Sequence, residues 1–167
     1  MNNWDKYFLE ICNVVASNSK CLSRKVGAIV VQDKSIVSTG YNGPPRGVPS
    51  CSNRYWNDLN ITKNLNGIKF NQDKCPRQTL GFKSGEALDL CVAGHGERNA
   101  IINAAREGVK VKGGIMYMNC GISCTPCLVE IINAGISEIV VTEMTCYDRM
   151  AEYLIFNSKL KVRKFDI

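Results

Sequence analysis

His95-Gly96-Glu97-Arg98-Asn99-Ala100-Ile101 is the stretch on which the reading of this chain turns, and Cys124-Thr125-Pro126-Cys127 lies further along. His95 is the only histidine among 167 residues. One imidazole and two thiolates form the donor set of a catalytic zinc whose fourth position stays open, and a nearby glutamate outside that set can move protons. Cys124 and Cys127 are three apart at the start of an expected helix, so both sulfurs can face one side. The positive end of that helix favours thiolate over thiol, as metal ligation requires. His95 and Glu97 would diverge inside a helix, so they can act together only where one begins. The spacing thus predicts two helix N-termini with one metal between them. Each part alone is weak, since a lone histidine is often a packed polar residue and a C-x-x-C pair also serves structural zinc knuckles and redox pairs. Together they are far more specific.

Around this stretch the pattern alternates between helix and strand periods. Glu97 to Glu107 reads as a helix stopped by Gly108, Gly114 to Asn119 as a strand, and Thr125 to Ala134 as a helix stopped by Gly135. Glu138 to Thr142 then reads as a strand, Asp148 to Phe156 as a helix and Leu160 to Lys164 as a last strand. Upstream, Trp4 to Ser19 has a helical period, and Val26 to Val31 and Ile36 to Tyr41 read as strands joined by a turn at residues 32–35. Such alternation implies a sheet covered on both faces. Gly43 to Gly94 breaks the rhythm: four of the five prolines lie there, with little periodicity. So long an irregular stretch is expected to be functional, or held by something other than a core.

At 167 residues, one domain spanning 1–167 with residues 43–94 as an insertion is the natural division. No apolar run approaches the roughly 20 residues of a membrane span. The start, Met1-Asn2-Asn3-Trp4-Asp5-Lys6, lacks the pattern of a signal peptide, so an intracellular, cytoplasmic chain is expected. Nine cysteines cannot pair off completely, and a reducing compartment disfavours disulfides, so metal ligation is the better use for several of them. The net charge of +6 suits an anionic partner. Its basic residues are spread out apart from a small cluster at Lys159, Lys161, Arg163 and Lys164, and a phosphate-bearing small molecule fits as well as a nucleic acid.

A short H-x-E followed by C-x-x-C is a signature of zinc nucleobase deaminases. The chain resembles the cytidine and deoxycytidylate (dCMP) deaminase superfamily, and the dCMP deaminase family in particular, from about Ser17 to Val141. The most specific blocks are Ser19-Lys20-Cys21-Leu22-Ser23-Arg24-Lys25-Val26-Gly27-Ala28, Ser38-Thr39-Gly40-Tyr41-Asn42-Gly43-Pro44 and the His95 stretch. Family members usually carry alanine at the position of Gly96 and proline at that of Ser123. Glycine keeps the backbone N–H that could bind a pyrimidine carbonyl.

The resemblance implies a three-layer α/β/α fold with a central mixed sheet and hydrolytic deamination of dCMP to dUMP and ammonia, supplying dUMP for dTMP synthesis. It carries zinc ligation onto His95, Cys124 and Cys127, proton transfer onto Glu97, and substrate binding onto Asn42, Gly96 and Tyr147. By residue type alone, Asn42 is an ordinary turn residue and Tyr147 a half-buried aromatic. The resemblance also implies a second, structural zinc stabilising the Cys-rich insertion, with Cys21, Cys51, Cys75 and Cys91 as its ligands. Buried free cysteines are the alternative for these four, and Cys12, Cys120 and Cys146 read as packing residues. A homohexamer regulated by dCTP and dTTP, with magnesium accompanying a nucleotide effector, belongs to the same expectation, with no membrane or nucleic-acid partner. Two rivals remain: deamination of another substrate (dCTP, cytidine, a tRNA adenosine, single-stranded DNA), and a non-catalytic zinc or DNA-binding protein on the same fold.

Overall fold

The alternating strands predicted from the sequence line up side by side in a computed structural model that describes residues 3–83, 85–146 and 148–167. Five strands form one sheet in the order β2-β1-β3-β4-β5: β1 (Gly27–Gln32), β2 (Ser35–Tyr41), β3 (Ile115–Met118), β4 (Glu138–Val141) and β5 (Lys161–Lys164). β1 is antiparallel to both β2 and β3, while β3, β4 and β5 run parallel. The sheet is therefore mixed. The β1–β2 hairpin turns on Asp33 and Lys34, both at positive φ, a two-residue turn whose twist matches its strands.

Successive residues of a strand face opposite sides, and each side here has its own core. On one side α1 (Trp4–Ser17) lays Phe8 and Cys12 against Ile29, Val31, Tyr117 and Val140. On the other, Ala100 of α5 (Gly96–Arg106), Leu128 and Ile131 of α6 (Thr125–Asn133) and Ala151 of α7 (Arg149–Asn157) cover Ala28, Val30, Met116, Met118, Ile139 and Val141. This is the three-layer α/β/α arrangement expected. Helix α1 stops two residues early because Ser19 leaves the helical path to bond Asn42.

The insertion departs from expectation. It holds α2 (Arg54–Asn57), α3 (Leu59–Leu65), α4 (Pro76–Thr79) and a 3₁₀ turn at Leu88–Leu90. Tyr55, Ile61 and Leu65 form a small core with Leu80, and Tyr55 stacks on Phe70 with ring centroids 4.5 Å apart. The Tyr55 hydroxyl donates to Lys74 O at 2.8 Å and lies 2.6 Å from Thr79 Oγ1. Helices of four to seven residues complete too few turns to leave a readable period, which is why the sequence showed none. Gly43 and Gly94 close the insertion at its base by exchanging backbone hydrogen bonds of 3.1 and 2.8 Å.

Candidate active site

Helix α5 begins where the insertion ends, and it is pressed onto β2. A Cβ on Gly40 would lie 2.2 Å from Ala100 N and 2.4 Å from Gly96 O, so only glycine allows this approach. Asn99 and Asn103 donate to Tyr41 O and Thr39 O, each at 2.8 Å, and Ser38 Oγ donates to Ala100 O at 2.7 Å. These bonds set where His95 stands, immediately before the first turn of α5 in extended backbone.

Helix α6 begins nearby, with Cys124 at its N-cap and Pro126 in its first turn, where proline's missing N–H costs nothing. Arg98 of α5 pairs with Glu130 of α6 through bonds of 2.9 and 2.8 Å, holding the two helices together. The result is a triangle. His95 Nδ1 lies 3.4 Å from Cys124 Sγ and 3.3 Å from Cys127 Sγ, and the sulfurs are 3.4 Å apart. A tetrahedral zinc with bonds of about 2.3 Å to sulfur and about 2.0 Å to nitrogen would set these edges at roughly 3.5–3.8 Å, so the donors need only a small outward shift to fit it. Among the described residues this is the only group of three or more potential ligands that converges.

The charges suit a cation. The hydrogen bond from Cys127 and then that from His95 outweigh burial and pull the Cys124 thiol down to about 4. With Cys124 ionised, Cys127 is pushed up and keeps its proton until a metal displaces it. His95 is raised, chiefly by its hydrogen bond to Cys124 against the opposing effect of burial. Glu97 is buried on α5 and faces the same cavity. Among the described residues no donor engages its carboxylate, which leaves it free to handle a proton.

That cavity has a volume of about 170 Å³, with Ile122 and Ser123 in its wall and Arg24, Glu143 and Thr145 completing its lining. The last three were missed by sequence reasoning. The signal available for Glu143 and Thr145 was their place just beyond the carboxyl end of a strand, where α/β sheets bind ligands. Arg24 lies in the Ser19–Ala28 block but carries no recognisable spacing. A larger cleft of about 550 Å³ opens in the insertion between Arg54, Asp58, Leu59 and Cys91. It contains no converging donor set among the described residues, so the chemistry belongs to the smaller cavity.

The other expected residues divide. Gly96 packs its backbone beside Val26 O, and an added Cβ would come within 3.1 Å of that oxygen. Asn42 is buried and committed to the scaffold: its Oδ1 accepts from Val26 N and Ser19 Oγ at 2.8 Å, and its Nδ2 donates to Arg24 O at 2.9 Å. Among the described residues its second amide hydrogen has no partner. Tyr147 lies outside the described residues. Cys51 and Cys75 are buried, and burial, then the nearby Cys75 and Cys21, push the Cys51 thiol up. Cys91 stands in the wall of the larger cleft. Of the residues expected only to pack, Cys12 donates to Tyr117 O, and burial raises its thiol to about 12. Cys120 packs against the main core and also lines the small cavity.

Residues 2–143 match the family described as the cytidine and deoxycytidylate deaminase zinc-binding region. The chain is 31% identical to a deoxycytidylate deaminase of Schizosaccharomyces pombe over 98% of its own length and 44% of that protein's. It therefore spans less than half of that relative. It is 33% identical to a deoxycytidylate deaminase of Mycobacterium phage D29, over 83% of this chain and 93% of the phage protein. The crystal structure of a dCMP deaminase from cyanophage S-TIM5, in complex with dCMP and dUMP, shares its fold with a TM-score of 0.65, at 18% identity and 98% coverage of both chains. With the donor triangle and the adjoining glutamate in place, the match over residues 2–143 settles the family: the chain belongs to the cytidine and deoxycytidylate deaminases of the zinc-binding type.

Proposed function

We propose that this protein hydrolyses dCMP to dUMP and ammonia with the help of zinc. The observation that carries the reading is the His95–Cys124–Cys127 triangle opening beside a buried, unengaged Glu97. The relatives named deoxycytidylate deaminase support the choice of dCMP. His95, Cys124 and Cys127 would hold the ion, which when bound supplies a Lewis acid that makes water nucleophilic near neutral pH. Glu97 takes one proton from the attacking water and delivers it to the ring nitrogen, then takes the second from the hydroxyl that becomes the new carbonyl and delivers it to the departing amine as the carbon–nitrogen bond breaks. In this reading Gly96 N–H, an amide hydrogen of Asn42 and Tyr147 serve the substrate.

A cavity of about 170 Å³ is smaller than the roughly 300–1,000 Å³ of clefts that enclose drug-sized ligands. It suits one pyrimidine ring, with the sugar and phosphate left at the mouth. Among the described residues Arg24 is the one arginine or lysine in its lining, and it is the natural partner of a phosphate there. A second, structural zinc in the insertion, held by Cys21, Cys51, Cys75 and Cys91, belongs to the same proposal: Cys75 and Cys21 lie near enough to Cys51 to raise its thiol, and the four sulfurs would have to draw together to bind the ion. A cytoplasmic hexamer tuned by dCTP and dTTP, with magnesium accompanying the effector, completes the proposal, as does the supply of dUMP for dTMP synthesis. Ammonia release from dCMP, with and without dCTP, tests it against deoxycytidine, cytidine, dCTP and an oligonucleotide. Turnover of dCMP far above the others is expected. Equal turnover of deoxycytidine would remove the nucleotide assignment, and salt-dependent DNA binding without turnover would favour the binding-protein rival.

A further inference from the structure

We infer that Asp148 is a positioning residue that ties the outer wall of the cavity to the helix carrying Cys124 and Cys127. The inference rests on the metal reading of the triangle. The first N–H groups of α6, like those of any helix, have no partner within the helix. Pro126 has no N–H. Leu128 N bonds Cys124 O at 3.0 Å, and the Cys127 N–H faces the Cys124 sulfur. Cys124, at the N-cap, offers nothing to the Thr125 N–H, its sulfur being turned toward His95 and Cys127. The Thr125 N–H is left over. Asp148 Oδ2 accepts it at 3.0 Å and also accepts the Thr125 hydroxyl at 2.5 Å.

The same carboxylate uses its other oxygen to cap α7, accepting Met150 N at 3.0 Å. One side chain thus caps two helices, one of which begins with the proposed ligands. Asp148 also follows in sequence the residues after β4 that line the cavity. That segment is fastened at its near end by Thr142 N, which bonds Cys120 O at 2.9 Å, and it then supplies Glu143 and Thr145 to the lining. Asp148 is its far anchor. A capping role toward α7 alone would require only Oδ1, so the two bonds to Thr125 are the feature that cap does not explain.

The test compares Asp148→Ala, Asp148→Asn and Thr125→Val with wild type, and uses Asp58→Ala as a control. Asp58 also caps a helix and pairs with an arginine, but in the insertion. Zinc affinity is measured by chelator competition, the donor geometry by the visible spectrum of the cobalt(II)-loaded protein, and KM by dCMP turnover. Asp148→Ala is expected to weaken zinc about tenfold or more, the scale of lost outer partners at metal sites, to shift the cobalt band and to raise KM. Thr125→Val should shift the same band while leaving the α7 cap in place, and Asp148→Asn should recover part of the affinity. Asp58→Ala should lower Tm with the cobalt spectrum unchanged. Wild-type metal affinity and spectrum in both Asp148→Ala and Thr125→Val would overturn this inference alone, as would an equal loss in Asp58→Ala. A wild-type protein that binds neither metal would overturn the metal reading and this inference together.

Discussion

Glu97 and Cys124 make opposite demands on the same centre, and single substitutions separate them. Glutamine at position 97 keeps the shape of the side chain but cannot accept a proton. Glu97→Gln should keep its zinc and its fold while dCMP turnover falls by about 10²–10⁴, the usual contribution of a positioned acid–base group. Cys124→Ala should release the metal, because only three side chains converge on it among the described residues. Metal analysis and turnover on both variants decide this, and a fully active Glu97→Gln protein would refute the assignment. Gly96 is a milder case. Alanine there would press Val26 O at 3.1 Å but would favour the helix, so Gly96→Ala should fold with stability changed by less than about 1 kcal/mol in urea titration. The four central residues were legible because their chemistry needs fixed residue types at fixed spacing. Arg24, Thr145 and Asp148 were not, since each acts through a contact made by remote parts of the chain.

Elements were legible to within about two residues wherever an apolar period ran for two turns or more, as in α1, α5 and α6. What the periods could not reveal is how closely α5 approaches β2. That contact hinges on Gly40, which reads in the sequence as one more strand residue. Gly40→Ala would drive a methyl group into the backbone of α5, at Gly96 O and Ala100 N, which cannot rotate away. Destabilisation of about 1–3 kcal/mol or more is expected, of the size seen for overpacking. It should come with weakened zinc, because the displaced turn carries His95. Chemical denaturation and metal content check both, and an unperturbed variant would mean that α5 is not located by this contact.

Across the molecule, the two chain ends meet. Asp5 of α1 accepts from Arg163 of β5, with Nη2 to Oδ1 at 3.0 Å, and from Asp166 N at 2.8 Å, while Arg163 also reaches Glu138 at 2.8 Å. Burial pushes the Asp5 carboxyl up, but the Arg163 and Asp166 bonds and the arginine's charge together hold it below its ordinary value. A carboxyl lowered by folding stabilises the protein above its unfolded pKa of about 3.9, and that contribution is lost as pH falls through the lower folded value. Wild type should therefore lose stability below about pH 4 more steeply than Asp5→Asn, as read from Tm against pH; parallel curves would contradict it. The insertion was the least legible region, because its short helices and small core leave no pattern. Native mass spectrometry should find two zinc ions per chain, with Cys75→Ala losing one along with much of the stability. One zinc unaffected by that change would remove the second site. The backbone exchange between Gly43 and Gly94 gives this region a further meaning. A detour that departs and returns at one point transmits no change of its own length to the chain beyond it, and doubling a loop costs only about 0.6 kcal/mol in closure entropy. The segment can thus be lengthened or pruned while the histidine one residue downstream keeps its address, so that the insertion and the donor triangle are free to diversify at separate rates.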